Sequence, residues 1–263
     1  MNESTKAHPS VSQTKAMQLL PKGIRGTDAD MALFEGGPTG RGVYDSLRDQ
    51  IVKLDLPPGT PLLRTELAET YGVSLTPLRD ALQQLAKEGL VRIFPQSRTL
   101  VTPINITAIR EAQFMRIALE TEVVRELARE IAPDDLARLR SIVALQASIG
   151  QHPGDIPTFQ ELDEVFHQTL FIAARHVQTQ RIMRSHAGHL ERLRRLYLED
   201  SDDAGRAANN QAVVDGHTAV LDGIAEGDAA RAMDALRRHL KRTVDRIADK
   251  RAAFPEYFAP EKA

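Results

Sequence analysis

Residues 56–104 read LPPGTPLLRTELAETYGVSLTPLRDALQQLAKEGLVRIFPQSRTLVTPI, and the punctuation of this stretch decides the fold. Pro57-Pro58-Gly59 stops any helix that precedes it. Leu63, Leu67 and Ala68 then fall on the inward side of a short helix ending at Tyr71-Gly72, where glycine suits the left-handed residue after a helix. Ser74 or Thr76 can cap a third helix, with Pro77 tolerated in its first turn and Leu78, Leu82, Leu85 and Ala86 as its apolar face. Gly89 ends that helix. Leu90–Phe94 and Thr99–Val101 are short β-prone runs on either side of Pro95-Gln96-Ser97, which reads as a hairpin. Upstream, Val43, Leu47, Ile51 and Leu54 recur at three- and four-residue steps, the face of a first helix. Three helices and a β-hairpin within residues 39–103 outline a winged helix-turn-helix.

Working outward, residues 1–38 carry scattered Ser, Thr, Gly and Pro, and read as a mobile tail with a weak helical stretch near Lys15–Leu20. Downstream the pattern is helical throughout. Segments near 107–130, 133–150, 157–174, 178–199, 208–226 and 228–251 are separated by Pro, Gly or Asp/Ser clusters, so residues 107–252 are expected to form an all-α bundle of six or seven helices. Residues 253–263 are expected as a C-terminal tail. The fold class is therefore mainly α: a winged helix-turn-helix followed by an all-helical domain. The chain has no cysteine, which excludes disulfides and thiolate chemistry. It has no run long and apolar enough to span a membrane and no secretory signal, so the expected location is the cytoplasm. The net charge is -2, and residues 39–103 hold eight Lys/Arg against seven Asp/Glu. A case for DNA binding must therefore rest on where charges sit rather than on their sum.

The stretch quoted above resembles the DNA-binding domain of the GntR family of regulators. The segments FMRIALETEVVRELA (114–128), LDEVFHQTLFIAA (162–174) and DGHTAVLDGIAEGDAARAMDALRRHL (215–240) resemble the FCD effector domain of its FadR-like subfamily. Together the likeness covers about residues 40–250, with two domains in the expected order. It implies a DNA-binding regulator, not an enzyme, acting on a double-stranded operator as a homodimer. In helix-turn-helix docking the second helix of the motif enters the major groove N-terminus first. That brings Ser74, Leu75, Thr76 and Arg79 to the DNA, with Arg64 on the preceding helix near the flanking backbone and Arg98 at the wing tip for the minor groove. The chain departs from the family at three points. Leu75 stands where Arg is usual, Asp80 where Glu is usual, and Ser97-Arg98 where the wing tip is usually Arg-Gly. These departures bear on the operator sequence.

Asp163 and His167 are four residues apart, hence on one face of a helix. His217 lies ten residues before Gly227 and His239 eleven after Asp228. If Gly227 ends one helix and Asp228 caps the next, both histidines sit roughly 15–17 Å from the turn of an antiparallel hairpin, at one height. One Asp and three His would then converge, which matches the metal-binding pattern of many FCD domains and carries over to Asp163, His167, His217 and His239. Imidazole with carboxylate suits Zn, Ni, Fe or Mn, with positions left open for a carboxylate effector. His186 and His189 are near enough in the expected bundle to act as substitutes. Arg116 resembles a family position near the effector pocket and can pair a carboxylate, or else form an ion pair with Glu120 four residues on. FCD relatives commonly answer to small organic acids or sugar acids. Two other readings compete: a metal-dependent hydrolase with Glu161 or Glu164 as base, and an interaction module that no longer binds DNA.

Overall fold

A computed structural model describes residues 40–95, 98–150, 156–199 and 203–260. The expected tail 1–38 and the short helix within it lie outside the described residues. The described chain forms two compact units that meet in sequence at Pro103 and Ile104, and each is described by itself.

The first unit runs α1 (Gly40–Val52), β1 (Pro61–Leu62), α2 (Arg64–Tyr71), α3 (Leu75–Lys87), β2 (Val91–Ile93) and β3 (Thr99–Val101). Its core is the set of apolar faces read from the sequence. Val43, Leu47 and Ile51 of α1 meet Leu78, Ala81, Leu82 and Leu85 of α3, and the wing closes the core with Leu90, Val91 and Val101. The turn between α2 and α3 is made by Gly72 at φ 63°, whose N–H returns to the end of α2. A side chain would be strained at that angle. Ser74 occupies the N-cap of α3 in extended backbone, but its hydroxyl makes no capping hydrogen bond.

Three details depart from expectation. The hairpin is part of a three-stranded antiparallel sheet of order β1-β3-β2, with Pro61 opposite Leu100 and Leu62 opposite Thr99. A two-residue strand opened by proline carries no alternation to be read. The first helix ends at Val52, and Leu54 is buried in the turn beyond it at φ 65°. Leu63 is 46 % exposed at the N-cap of α2 rather than inward.

The second unit is all helical, with eight helices among the described residues: α4 (Ile106–Arg129), α5 (Pro133–Ile149), α6 (Ile156–Ala173), α7 (Val177–His186), α8 (Gly188–Glu199), α9 (Asp203–Ala225), α10 (Ala229–Lys241) and α11 (Ile247–Ala253). Two segments expected as single helices are each broken. The stretch 178–199 divides at Ala187, where an i to i+3 hydrogen bond from Ala187 to Arg184 closes α7 and Gly188, a weak helix former, opens α8. The stretch 228–251 leaves α-helix after Lys241 and continues in tight i to i+3 turns through the β-branched pair Thr243-Val244. The expected C-terminal tail is also corrected over its described part. Pro255–Tyr257 form a 3-10 turn, Phe258 is buried, and Ile104 bonds to both Tyr257 and Ala259. Burial of Phe258 and these two backbone bonds outweigh the entropy of a free end.

The α9–α10 hairpin is built as its sequence implies. Gly227 adopts φ 72°, and Asp228 caps α10 by accepting from the Arg231 N–H at 2.9 Å. The two helices approach so closely that a Cβ on Gly223 would stand 2.7 Å from the Ala232 backbone nitrogen.

Candidate functional site

In the second unit Asp163 and His167 project from α6, His217 from α9 and His239 from α10. One ligand atom from each lies within 4.8 Å of all the others. Donors that share one ion at about 2.1 Å are separated by roughly 3–4 Å, so small side-chain adjustments suffice. His167 and His239 present their Nε2 atoms 3.3 Å apart. His217 Nε2 is 3.4 Å from Asp163 Oδ1 and has no well-directed hydrogen-bond partner, although the side chain is fully buried. A buried nitrogen without a partner is costly unless something else occupies it. This donor set fits a borderline divalent ion.

The remaining ring atoms are held in ways that aim Nε2 inward. His217 Nδ1 faces Gln146 Oε1 of α5 at 2.9 Å, and the ring stacks on Phe166 with centroids 3.9 Å apart. His167 Nδ1 lies 2.7 Å from Glu120 Oε2 of α4. The hydrogen bond to Gln146 fixes the tautomer of the His217 imidazole, and the Glu120 carboxylate sets a negative charge beside His167. His239 Nδ1 instead abuts α9 at Gly216, where a Cβ would stand 2.7 Å away. Burial pushes the His217 imidazole down to about 4 and holds His239 well below its ordinary value. Both are therefore neutral near pH 7, the form that ligates. Burial alone would raise the Asp163 carboxyl, but the Arg194 guanidinium and the neighbouring His217 and His167 rings hold it well below the usual carboxylate range. Arg194 Nη2 bonds Asp163 Oδ2, leaving Oδ1 toward the cluster.

Arg116 forms the ion pair weighed against its effector role, with Nε 2.7 Å from Glu120 Oε1 and both side chains buried. Burial alone would raise Glu120, yet Arg116 and His167 bring it down to about 2. Arg116 also lines an open cavity that reaches Asp163, His239 and Arg194, so the structural pairing and the pocket position coexist. His186 is exposed, and His189 is turned to the Asn105 N–H and to Arg192; neither belongs to the cluster. Glu161 and Glu164, weighed as bases, lie on α6 outside the four-residue set. Glu120, Gln146, Arg194 and Gly216 were not singled out as parts of the centre. The first three reach it from α4, α5 and α8, and no local spacing ties them to the histidines.

In the first unit, Arg64 opens α2 while Ser74, Leu75, Thr76 and Arg79 cover the N-terminal part of α3. All are exposed, Leu75 by 58 %. Arg79 Nε lies 3.8 Å from Asp80 Oδ1. Arg98 is exposed at the start of the returning wing strand, 5.4 Å from the Phe94 ring centre. The residues just before it, 96–97, lie outside the described residues.

A winged helix followed in the chain by a helical bundle is the domain pairing of a DNA-binding regulator. Residues 39–101 match the bacterial regulatory proteins of the gntR family and residues 111–242 match the FCD domain. The chain belongs to the GntR family of regulators, in its FCD-containing branch. It is 35% identical to an HTH-type transcriptional regulator in an unstable DNA locus of Streptomyces ambofaciens, over 89% of this chain and 95% of that protein. It is 27% identical to the gluconate operon transcriptional repressor of Bacillus subtilis, over 80% of this chain and 86% of that one. Among solved structures, Escherichia coli McbR/YncC superposes with a TM-score of 0.69 at 19% identity, covering 84% of this chain and all of that one, and so bears on the fold alone. Family and relatives alike are transcriptional regulators rather than enzymes.

Proposed function

We propose that this protein is a cytoplasmic repressor whose operator affinity is set by a small carboxylate effector, an organic or sugar acid, bound at one divalent metal in the helical domain. The observation that carries this reading is the buried cluster of Asp163, His167, His217 and His239 opening onto an arginine-bearing cavity, in a chain that also has a winged helix. The four side chains would hold Zn, Ni, Fe or Mn; the ion would supply an open position for the carboxylate, and Arg116 and Arg194 its positive surroundings. The relatives named as repressors, that of the gluconate operon and RspR of Escherichia coli, support the sign of control.

On the DNA side, Arg79 reads the major groove, Ser74 and Thr76 meet phosphate, Leu75 packs on a thymine methyl, Arg64 grips the flanking backbone and Arg98 reaches into the minor groove or phosphate. A homodimer on a pseudo-palindromic site suits a single recognition helix per chain. Exposed Phe114 of α4 and Ile182 of α7, on contacting helices, offer apolar surface for pairing. No described helix is long and apolar enough to cross a membrane.

The test is a gel-shift titration on the DNA upstream of the protein's own coding region, at fixed salt. Wild-type protein should bind specifically, and Arg79→Ala should weaken that binding by about 1–3 kcal/mol. Equal affinity of the Arg79→Ala protein would reject the assigned recognition helix. Absence of specific binding by the wild type would favour the interaction-module reading.

A further inference from the structure

The cavity beside the candidate metal centre has two ends that differ in how their arginines are paired. At the inner end each arginine is matched, Arg194 by Asp163 and Arg116 by Glu120. From there the lining steps away along four helices in concert. On α9 the cavity wall runs from the turn below His217 through Val213 to Asn210 and Asn209, and beyond α10 it runs from His239 through Arg242 to Arg246. Gln160 lies one turn from Asp163 on α6, and Tyr197 one turn from Arg194 on α8. The seven residues from His217 back to Asn210 span about 10 Å of α-helix, and the seven from His239 to Arg246 roughly 10–14 Å.

The outer end carries two exposed arginines, with the carboxylates of Asp245 and Asp249 near enough to act on the Tyr197 hydroxyl beside them. Arg242 Nη2 donates to Asn209 Oδ1 at 3.3 Å, and the Arg246 guanidinium lies 5.2 Å from the centre of the Tyr197 ring. Among the described residues no carboxylate forms an ion pair with either. Both arginines are exposed and hydrated at the mouth, but the amide and the aromatic face keep them at the cavity rather than out in solvent. Tyr197 is itself fixed, its hydroxyl donating to the Thr243 carbonyl at 2.7 Å. Between the two ends, Gln160 and Asn210 bring amides and Phe159 and Val213 bring apolar surface.

We propose that the effector is a diacid, with one carboxylate at the metal end beside Arg194 and a second anionic group held by Arg242 and Arg246. The inference rests on the carboxylate-at-metal reading above and extends it. Bidentate guanidinium pairing rewards a carboxylate at the mouth, and the roughly 10 Å of helix between the two ends sets a ligand of about four to six carbons.

The test is calorimetric titration of full-length protein shown by elemental analysis to hold metal. The ligands are matched pairs differing only in the second charge: butyrate and succinate, pentanoate and glutarate, hexanoate and adipate, gluconate and glucarate. In at least one pair the diacid should bind roughly tenfold or more tightly. The double variant Arg242→Gln, Arg246→Gln should keep its metal and bring that diacid to the affinity of its monoacid. Equal affinities within every pair, or a preference that survives the double substitution, would overturn the second anion site and leave the carboxylate-at-metal reading standing. If no acid of either kind binds the metal-loaded protein, that reading fails and the diacid proposal falls with it.

Discussion

His239 shows how closely this centre is fitted. Its Nε2 faces His167, and its other ring nitrogen lies against the one position of α9 beside His217 that has no side chain. A methyl group at Gly216 would stand 2.7 Å from Nδ1, inside contact distance, so the ring must turn away. The same substitution removes a helix-interior glycine, which by itself favours the helix by about 1 kcal/mol. Gly216→Ala should therefore weaken metal binding by about ten- to a hundredfold, the scale of a disturbed supporting contact, without lowering the melting temperature of chelated protein. Competition against a chromophoric chelator reads the first quantity and thermal melting the second. Unchanged metal affinity would mean that His239 is not a ligand in the position described. At this scale the sequence was informative where spacing is local. Asp163 and His167 are one turn apart, and His217 and His239 lie ten and eleven residues from Gly227-Asp228. It was silent on Gln146, Glu120 and Arg194, whose roles exist only once α5, α4 and α8 pack against the cluster.

The element that aligns the centre is the α9–α10 hairpin. Its turn was legible because a positive-φ glycine and an aspartate cap are local chemistry. Its tightness was not, since nothing in the sequence distinguishes Gly223 from a tolerated helix glycine until Ala232 is seen against it. A Cβ at Gly223 would meet the Ala232 backbone at 2.7–2.8 Å, and backbone cannot swing aside as a side chain can. Gly223→Ala should cost about 1–3 kcal/mol of stability by overpacking, measured by urea unfolding, and should lower metal affinity with it because His217 and His239 separate. Stability equal to wild type would show that the helices are not in such close contact. The same distinction explains the misread elements. Ala187-Gly188 and Thr243-Val244 break helices that apolar periodicity carries straight through, because periodicity registers burial and not backbone continuity. The two-residue β1 is fixed by pairing with β3, which no local signal encodes.

For the whole molecule, the order of the two family domains was legible, since each has its own punctuation and its own family likeness. The described C-terminal residues were not, because Phe258 and Ile104 become neighbours only through the fold. If one ion ties α6, α9 and α10 together, folding of the second unit is linked to it by mass action. At free metal about a thousand times the dissociation constant, the linkage is worth about 4 kcal/mol. Chelator should lower the melting temperature, and an effector acid should raise it only when metal is present. The metal content of the purified full-length chain is the most direct measure of the centre. Elemental analysis after metal-supplemented purification should find about one divalent ion per chain in the wild type and a large loss in His217→Ala and His239→Ala. Wild-type protein that carries no metal, or variants that retain it at full stoichiometry, would contradict the centre and the regulation built on it.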